Sequence, residues 1–318
     1  MQPVLFQFGS FFIPTYGFLI AIGIMVGLWV ASHRAKIRGL PADKIYDLVF
    51  IAVLAGFLSA RVLYILLNME EFLQNPMGLI LSRSGFVYLG GFFGAVGAMI
   101  LYMRKNNLPI LAMSDILVVS LSIAHGFGRI ACHLSGCCFG AVCTVPGLGI
   151  QLSPKVIPGT ADLSAGPEFF YNAFEEQKLK GWIDAGSSLS LPIWPVQLME
   201  SAGLFLLALI LWWYSSSKPR IAGQTLSWYI MLYALLRFSL EFLRGDAERG
   251  LYMGISTSQW ISLFLFPLGL GLLFMLRNNP VSPFSHPSLR PSHAEPEASS
   301  KGKRFTSTPS HQAEETKK

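Results

Sequence analysis

Residues 16–38 read YGFLIAIGIMVGLWVASHRAKIR. From Tyr16 to Ser32 no side chain is charged, and His33, Arg34, Lys36 and Arg38 then follow in close succession. A helix of about 20 apolar residues spans roughly 30 Å of hydrocarbon, and basic clusters gather where such a helix leaves the membrane on its cytoplasmic side. The pattern recurs outward from this stretch. Apolar spans are expected at 16–32, 45–67, 87–103, 111–131, 194–214, 225–243 and 257–276, the third ending at Arg104 and Lys105 and the last closed by Arg277. The fold class expected is all-α, a polytopic integral membrane protein with seven transmembrane helices.

Composition supports this and excludes other classes. The 318 residues are 52% hydrophobic and 13% charged, about half the charged share of a soluble domain, and the mean hydropathy is +0.49. A water-soluble enzyme and a disordered chain are both excluded. The net charge of +6 does not indicate nucleic acid, because no basic stripe with interleaved aromatics exists. Placing the first connector inside assigns 4, 2, 2 and 7 Lys or Arg to the segments 33–44, 104–110, 215–224 and 277–318, which is 15 of 24. The N-terminus is therefore expected outside and the C-terminus in the cytoplasm.

Two domain-level expectations follow. Residues 1–279 form the transmembrane unit, with an outward insert at about 132–193 bearing Gly, Pro and Ser. Residues 280–318, rich in Pro, Ser, His, Glu and Lys, lack the apolar content for a core and read as a disordered cytoplasmic tail. No cleavable signal peptide is expected, since residues 1–14 contain no Lys or Arg.

Ionisable groups inside apolar spans are costly and face a cavity or one another. Here they are Arg61, Asp115, His125, Arg129, Glu200, Arg237 and Glu241. Most fall toward the outer helix ends, where cations would meet lipid phosphates; structural ion pairing is the competing reading. In 237–244, Arg237, Glu241 and Arg244 are spaced to share one helix face, with an excess of cation suited to a phosphate. His125 and Arg129 are likewise four apart, so the imidazole is placed to act as a general base or to serve as a packing residue. Cys132, Cys137, Cys138 and Cys143 all lie within 12 residues, with His133 alongside. Their C-x4-C-C-x4-C spacing is a poor match to zinc pairs, and no metal is expected. Disulfides of Cys137 or Cys138 with Cys132 or Cys143, and simple packing, both remain open.

In these motifs the chain resembles the bacterial prolipoprotein diacylglyceryl transferase family. Tyr16-Gly17 resembles its opening helix, and Ala60-Arg61-Val-Leu-Tyr64 its Ala-Arg-Leu-x-Tyr. Gly128-Arg129-Ile-Ala-Cys132-x3-Gly136-Cys137-Cys138-Phe-Gly140 is similar to its Gly-Arg-x-Gly-Asn-x3-Gly-Glu-x2-Gly, with Cys in place of Asn and Glu. Trp194-Pro195-Val-Gln197-Leu-Met-Glu200-Ser201 resembles His-Pro-x-Gln-Leu-Tyr-Glu-Ser, and Arg237-x3-Glu241-x2-Arg244-x-Asp246 and Ser256-x2-Gln259-Trp260 complete the set. The likeness runs from Tyr16 to the seventh span and leaves out the insert and the tail.

The resemblance implies transfer of the diacylglyceryl group of phosphatidylglycerol to the lipobox cysteine of a prolipoprotein signal peptide, in the bacterial inner membrane, with the active site toward the periplasm and no cofactor. It implies Arg129 and Arg237 on the phosphate, Glu241 orienting Arg237, and Tyr16 lining the pocket. Arg61, Arg244, Gly140, Gln197 and Glu200 are the further lipid-binding residues it implies. Where the family has His-Gly-Gly, this chain has Leu89-Gly90-Gly91, so His125 is taken as the base instead. Two rival classes are a membrane carrier with a charged path, which would want internal symmetry, and a thiol-redox protein using Cys132–Cys143, which would want a C-x-x-C pair.

Overall fold

The computed structural model describes residues 4–8, 11–81, 85–154, 172–184, 186–216, 221–246 and 251–278. The tail expected at 280–318 lies outside them, as does the part of the insert at 155–171. A hairpin of β1 (Val4–Phe8) and β2 (Phe11–Pro14) precedes α1 (Thr15–Ile37), α2 (Asp43–Leu67) and the short α3 (Met69–Gln74) and α4 (Pro76–Leu81). Then come α5 (Tyr88–Lys105), α6 (Ile110–Ser135), α7 (Ala173–Leu179), α8 (Val196–Ser216) and α9 (Gln224–Glu241). The strand pair β3 (Leu251–Tyr252) and β4 (Ile255–Ser256) leads into α10 (Thr257–Asn278).

Each apolar span coincides with a long helix. Five of these, α1, α2, α6, α8 and α10, are long and apolar enough to cross a membrane, and the chain is a multi-pass membrane protein. α5 and α9 have 18 residues each, about 27 Å at 1.5 Å per residue. Large apolar side chains such as Trp29, Phe50, Phe57, Leu209 and Phe264 point away from the protein interior, each 60–68% exposed, as lipid-facing surfaces do.

α6 is the central helix, packed against α1, α8 and α9. Its contact with α1 depends on Gly23 and Gly27, one turn apart. A Cβ at Gly23 would lie 2.9 Å from Phe127 Cβ and one at Gly27 would lie 3.1 Å from the Ser120 carbonyl. Small residues at this spacing let two membrane helices touch backbone to backbone.

The two ends of the bundle are built differently. One end is an apolar core of Ala31, Ala35, Ile45, Leu48, Met103, Met113 and Ile116. Asp115, expected among the intramembrane charges, lies at this end of α6 and accepts hydrogen bonds from the Gly223 and Leu226 amides, both at 2.8 Å. It thereby satisfies backbone donors that the start of α9 leaves open. The other end carries His125, Arg129, Glu200, Arg237 and Glu241.

Two local structures differ from expectation. α6 runs on to Ser135, so Cys132 and His133 belong to the helix and not to the insert. α9 stops at Glu241, so Arg244 does not share a helical face with Arg237 and Glu241. The chain after α9 instead pairs with the start of the insert. Gly140 and Arg244 form an antiparallel bridge, with Ala141 N donating to Leu243 O at 2.9 Å and Gly245 N to Phe139 O at 3.2 Å. The insert has its own core of Phe139, Leu152, Ala173 and Ile193.

Candidate active site

Helix periodicity places His125 and Arg129 on one face of α6, and α8 supplies the group they meet. Arg129 Nη2 is 3.0 Å from Glu200 Oε1, and His125 Nε2 is 4.0 Å from the same oxygen. The helices are latched here by Ser201 Oγ, which donates to the Gly126 carbonyl at 2.9 Å. α9 closes the third side, with the Tyr233 ring 5.7 Å from the His125 ring.

One turn beyond Tyr233, Arg237 pairs with Glu241 at 2.6 Å and donates from Nη2 to Ser258 Oγ at 2.9 Å. Arg244 takes Asp246 in a two-point grip, Nε to Oδ1 at 3.0 Å and Nη2 to Oδ2 at 2.8 Å. Burial works against the Arg244 charge, but the Asp246 carboxylate and the Cys138 sulfur outweigh it and hold its pKa above the ordinary guanidinium value. Glu200 and Arg244 each lie within electrostatic reach of both Arg129 and Arg237.

The expected excess of cation is corrected by this arrangement. Each of the three arginines has a carboxylate of its own: Glu200, Glu241 and Asp246. A guanidinium carries five donors and a single carboxylate does not use them all. Arg129 Nε is buried and has no partner among the described residues. The carboxylates therefore orient the arginines and leave donors for an incoming anion.

Backbone contacts hold the insert's first turn against this cluster. Gln197 Nε2 donates to the Cys137 carbonyl at 3.0 Å. At Gly140 a Cβ would sit 2.2 Å from the Trp194 carbonyl oxygen, so only glycine lets this strand, Trp194 and Arg244 meet. Tyr16, at the start of α1, is close enough to feel Arg129, Cys132, Cys137 and Cys138. The structure thus brings together Tyr16, His125, Arg129, Gln197, Glu200, Arg237, Glu241 and Arg244, with Gly140 as the contact that permits it.

Arg61 is directed elsewhere. Its guanidinium donates to the carbonyls of Gly85 at 2.8 Å and Ile80 at 3.2 Å, and to that of Leu79. It also lies over the rings of Tyr64 and Phe86. This arginine ties α2 to α4 and to the connector that follows it.

Tyr88 and Tyr233 were not foreseen. Tyr88 lies in the field of Arg129, Glu200 and Arg237, and Tyr233 feels the same three. The spacing of four between Tyr233, Arg237 and Glu241 was a usable signal for the second; nothing local marks the first.

None of the four cysteines is joined in a disulfide. The sulfurs of Cys132, Cys137 and Cys138 lie within 4.8 Å of one another. Cys143 stands apart, its sulfur 3.5 Å from the Val145 carbonyl.

Sequence comparison extends the resemblance through the insert. A family described as prolipoprotein diacylglyceryl transferase matches residues 3–275. A phosphatidylglycerol--prolipoprotein diacylglyceryl transferase of Clostridium tetani is 35% identical over 270 residues, covering 85% of this chain and 96% of that protein. A protein named phosphatidylglycerol--prolipoprotein diacylglyceryl transferase 2 from Clostridium perfringens is 32% identical, covering 83% of this chain and 91% of its own length. One from Aliivibrio salmonicida is 30% identical, covering 87% of each. With a match that takes in every helix of the bundle together with the arginine cluster, the chain belongs to the prolipoprotein diacylglyceryl transferase family.

Proposed function

We infer that this protein transfers the diacylglyceryl group of phosphatidylglycerol to the lipobox cysteine thiol of prolipoproteins, as the names of its relatives describe. The observation that carries the reading is the convergence of Arg129, Arg237 and Arg244, each aligned by its own carboxylate, at one end of a membrane bundle. The bundle spans the membrane seven times, with α5 and α9 completing the five apolar spans. Its N-terminus and the arginine cluster face the periplasm and its C-terminus the cytoplasm, in the bacterial inner membrane. The distribution of Lys and Arg supports this orientation.

Chemically the reaction is S-alkylation. The acceptor cysteine gives up its proton and its sulfur pair attacks the terminal glycerol carbon that bears the phosphate ester. The carbon–oxygen bond breaks, and the electron pair leaves with glycerol phosphate. Negative charge develops on the leaving phosphate oxygen, and donors fixed in advance around that oxygen stabilise the transition state more than the ground state. Arg129 and Arg237 hold the phosphate, with Arg244 beside them. Glu200 and Glu241 keep the first two in position without reorganisation during the reaction. Tyr16 lines the lipid side, Gln197 and Gly140 fix the turn, and His125 takes the thiol proton. The lipid enters sideways from the outer leaflet.

The test is incubation of membranes holding the protein with phosphatidylglycerol and a lipobox peptide, followed by peptide mass. A diacylglyceryl mass gain that Arg129→Ala and Arg237→Ala abolish supports the reading. No gain from folded protein across several anionic lipids overturns it.

A further inference from the structure

The thiols of Cys132, Cys137 and Cys138 are left over from the phosphate grip, yet they stand inside it. Cys132 is the last buried position of α6, and Gly136 ends the helix in a left-handed conformation at φ 76°. Cys137 N then returns to the Cys132 carbonyl at 3.2 Å. Cys138 also has a positive φ, 57°, a conformation that few non-glycine residues adopt and that costs energy unless the surroundings impose it. Gln197 holds the Cys137 carbonyl from α8. Two left-handed residues, one on either side of Cys137, and one side-chain clamp thus gather three sulfurs within 4.8 Å of one another.

We propose that these three thiols bind a zinc-class dication whose fourth position takes up the sulfur of the acceptor cysteine. The proposal rests on the transferase reading and names how that reaction activates its nucleophile. It departs from the expectation drawn from spacing alone, because a helix end followed by two left-handed residues brings C-x4-C-C together without the usual C-x2-C turn.

Four considerations support it. Sulfurs around one tetrahedral zinc at about 2.3 Å stand about 3.8 Å apart, which small side-chain rotations reach from the present positions. Soft thiolate donors select zinc-class ions over magnesium or calcium. Three protein ligands with one open position is the arrangement of catalytic zinc, whereas structural sites are closed by a fourth residue. Finally, three thiolates and a dication leave one negative charge. Arg244 at Cys138 and Arg129 at both Cys132 and Cys138 lie within electrostatic reach of that charge and screen it, although each is also paired with its own carboxylate.

In the reaction, the acceptor thiol coordinates and loses its proton, which passes to His125 or to water at the site mouth. Metal coordination is sufficient to deprotonate a thiol near neutral pH. The coordinated sulfur's lone pair forms the carbon–sulfur bond while the phosphate ester bond breaks toward the arginines. The thioether product is a weaker ligand than the thiolate and leaves, returning the ion to its three cysteines.

The experiment uses the full chain in detergent under reductant, stripped with a chelator and titrated with Co(II). One equivalent should bind per chain, with thiolate-to-cobalt charge transfer and tetrahedral ligand-field bands, and zinc should bleach them. A lipobox peptide should shift the bands and its Cys→Ser counterpart should not. Each of C132S, C137S and C138S should weaken binding by about tenfold or more, whereas C143S should not. Absence of the charge-transfer band overturns the proposal, as does loss of binding in C143S equal to that in the other three. Indifference of the bands to the peptide overturns it too, and so does undiminished transfer by protein from which the chelator has removed all zinc. Metal binding and a peptide shift with no transfer to any peptide would instead overturn the transferase reading and leave the thiol site standing.

Discussion

Glu200 of α8, 1% exposed, lies 3.0 Å from the Arg129 guanidinium of α6. The pair joins two helices that are separated in sequence by the whole insert. A buried carboxylate costs several kcal/mol unless it is paired, so removing either partner strands a charge, and the pairing holds the guanidinium in one orientation.

Glu200→Gln should keep the helix packing and lose the alignment of Arg129. Transfer is expected to fall by about ten- to a hundredfold, the range seen when a group that orients a functional residue is removed. The check is a mass-based transfer assay beside a thermal unfolding curve. Full activity in a folded Glu200→Gln protein would show that Arg129 is positioned without it.

Arg237→Lys retains a charge and discards the planar fork that engages both Glu241 and Ser258. Lysine offers a point charge in place of paired donors, so transfer should drop on the order of 10²- to 10³-fold, the cost of losing one fixed transition-state donor. Equal loss in Arg237→Lys and Arg237→Ala is the expected pattern. Recovery by lysine would mean that charge alone is needed.

For His125→Ala the expected result is a reduced rate constant with the lipid KM little changed, since the residue is assigned to the proton and not to the phosphate. General base catalysis contributes about 10²- to 10⁴-fold. Undiminished transfer by this variant would remove His125 from the mechanism.

Gly140→Ala places a methyl group against the Trp194 carbonyl, at 2.2 Å in the unrelaxed geometry. Overpacking of this kind costs about 1–3 kcal/mol, and the strand contact that carries Arg244 should be displaced with it. Lower thermal stability together with lost transfer is expected. A variant as stable and active as the parent would show that the bridge between Gly140 and Arg244 is dispensable.

Arg61→Ala separates structural from lipid-binding roles. Because this guanidinium is occupied by the carbonyls of Leu79, Ile80 and Gly85, its loss should lower stability and leave the KM for phosphatidylglycerol within about twofold, since lost packing and not lost ligand contact is the cause. A KM raised tenfold or more at unchanged stability would return Arg61 to the lipid site.

Much of this protein is determined by its sequence alone. Runs of apolar residues between basic connectors must become helices in lipid, because hydrocarbon offers the backbone no other partner for its amides and carbonyls. The same logic marked His125, Arg129, Glu200 and Arg237, since charges so placed must meet one another or a ligand. Tertiary structure alone decided that Glu200 serves Arg129 and that Arg244 leaves Glu241 for Asp246. Helical spacing put Arg244 beside Glu241, but α9 ends first, and a strand contact with Gly140 carries Arg244 to Asp246 and Cys138. It also decided that Arg61 is taken up by the carbonyls of α4 and Gly85 and that Tyr88 comes within electrostatic reach of the arginines. The three thiols are the clearest instance. Their convergence depends on the backbone angles of Gly136 and Cys138 and on a hydrogen bond from Gln197, 60 residues away in the chain, and residue spacing does not encode contacts made between separate helices.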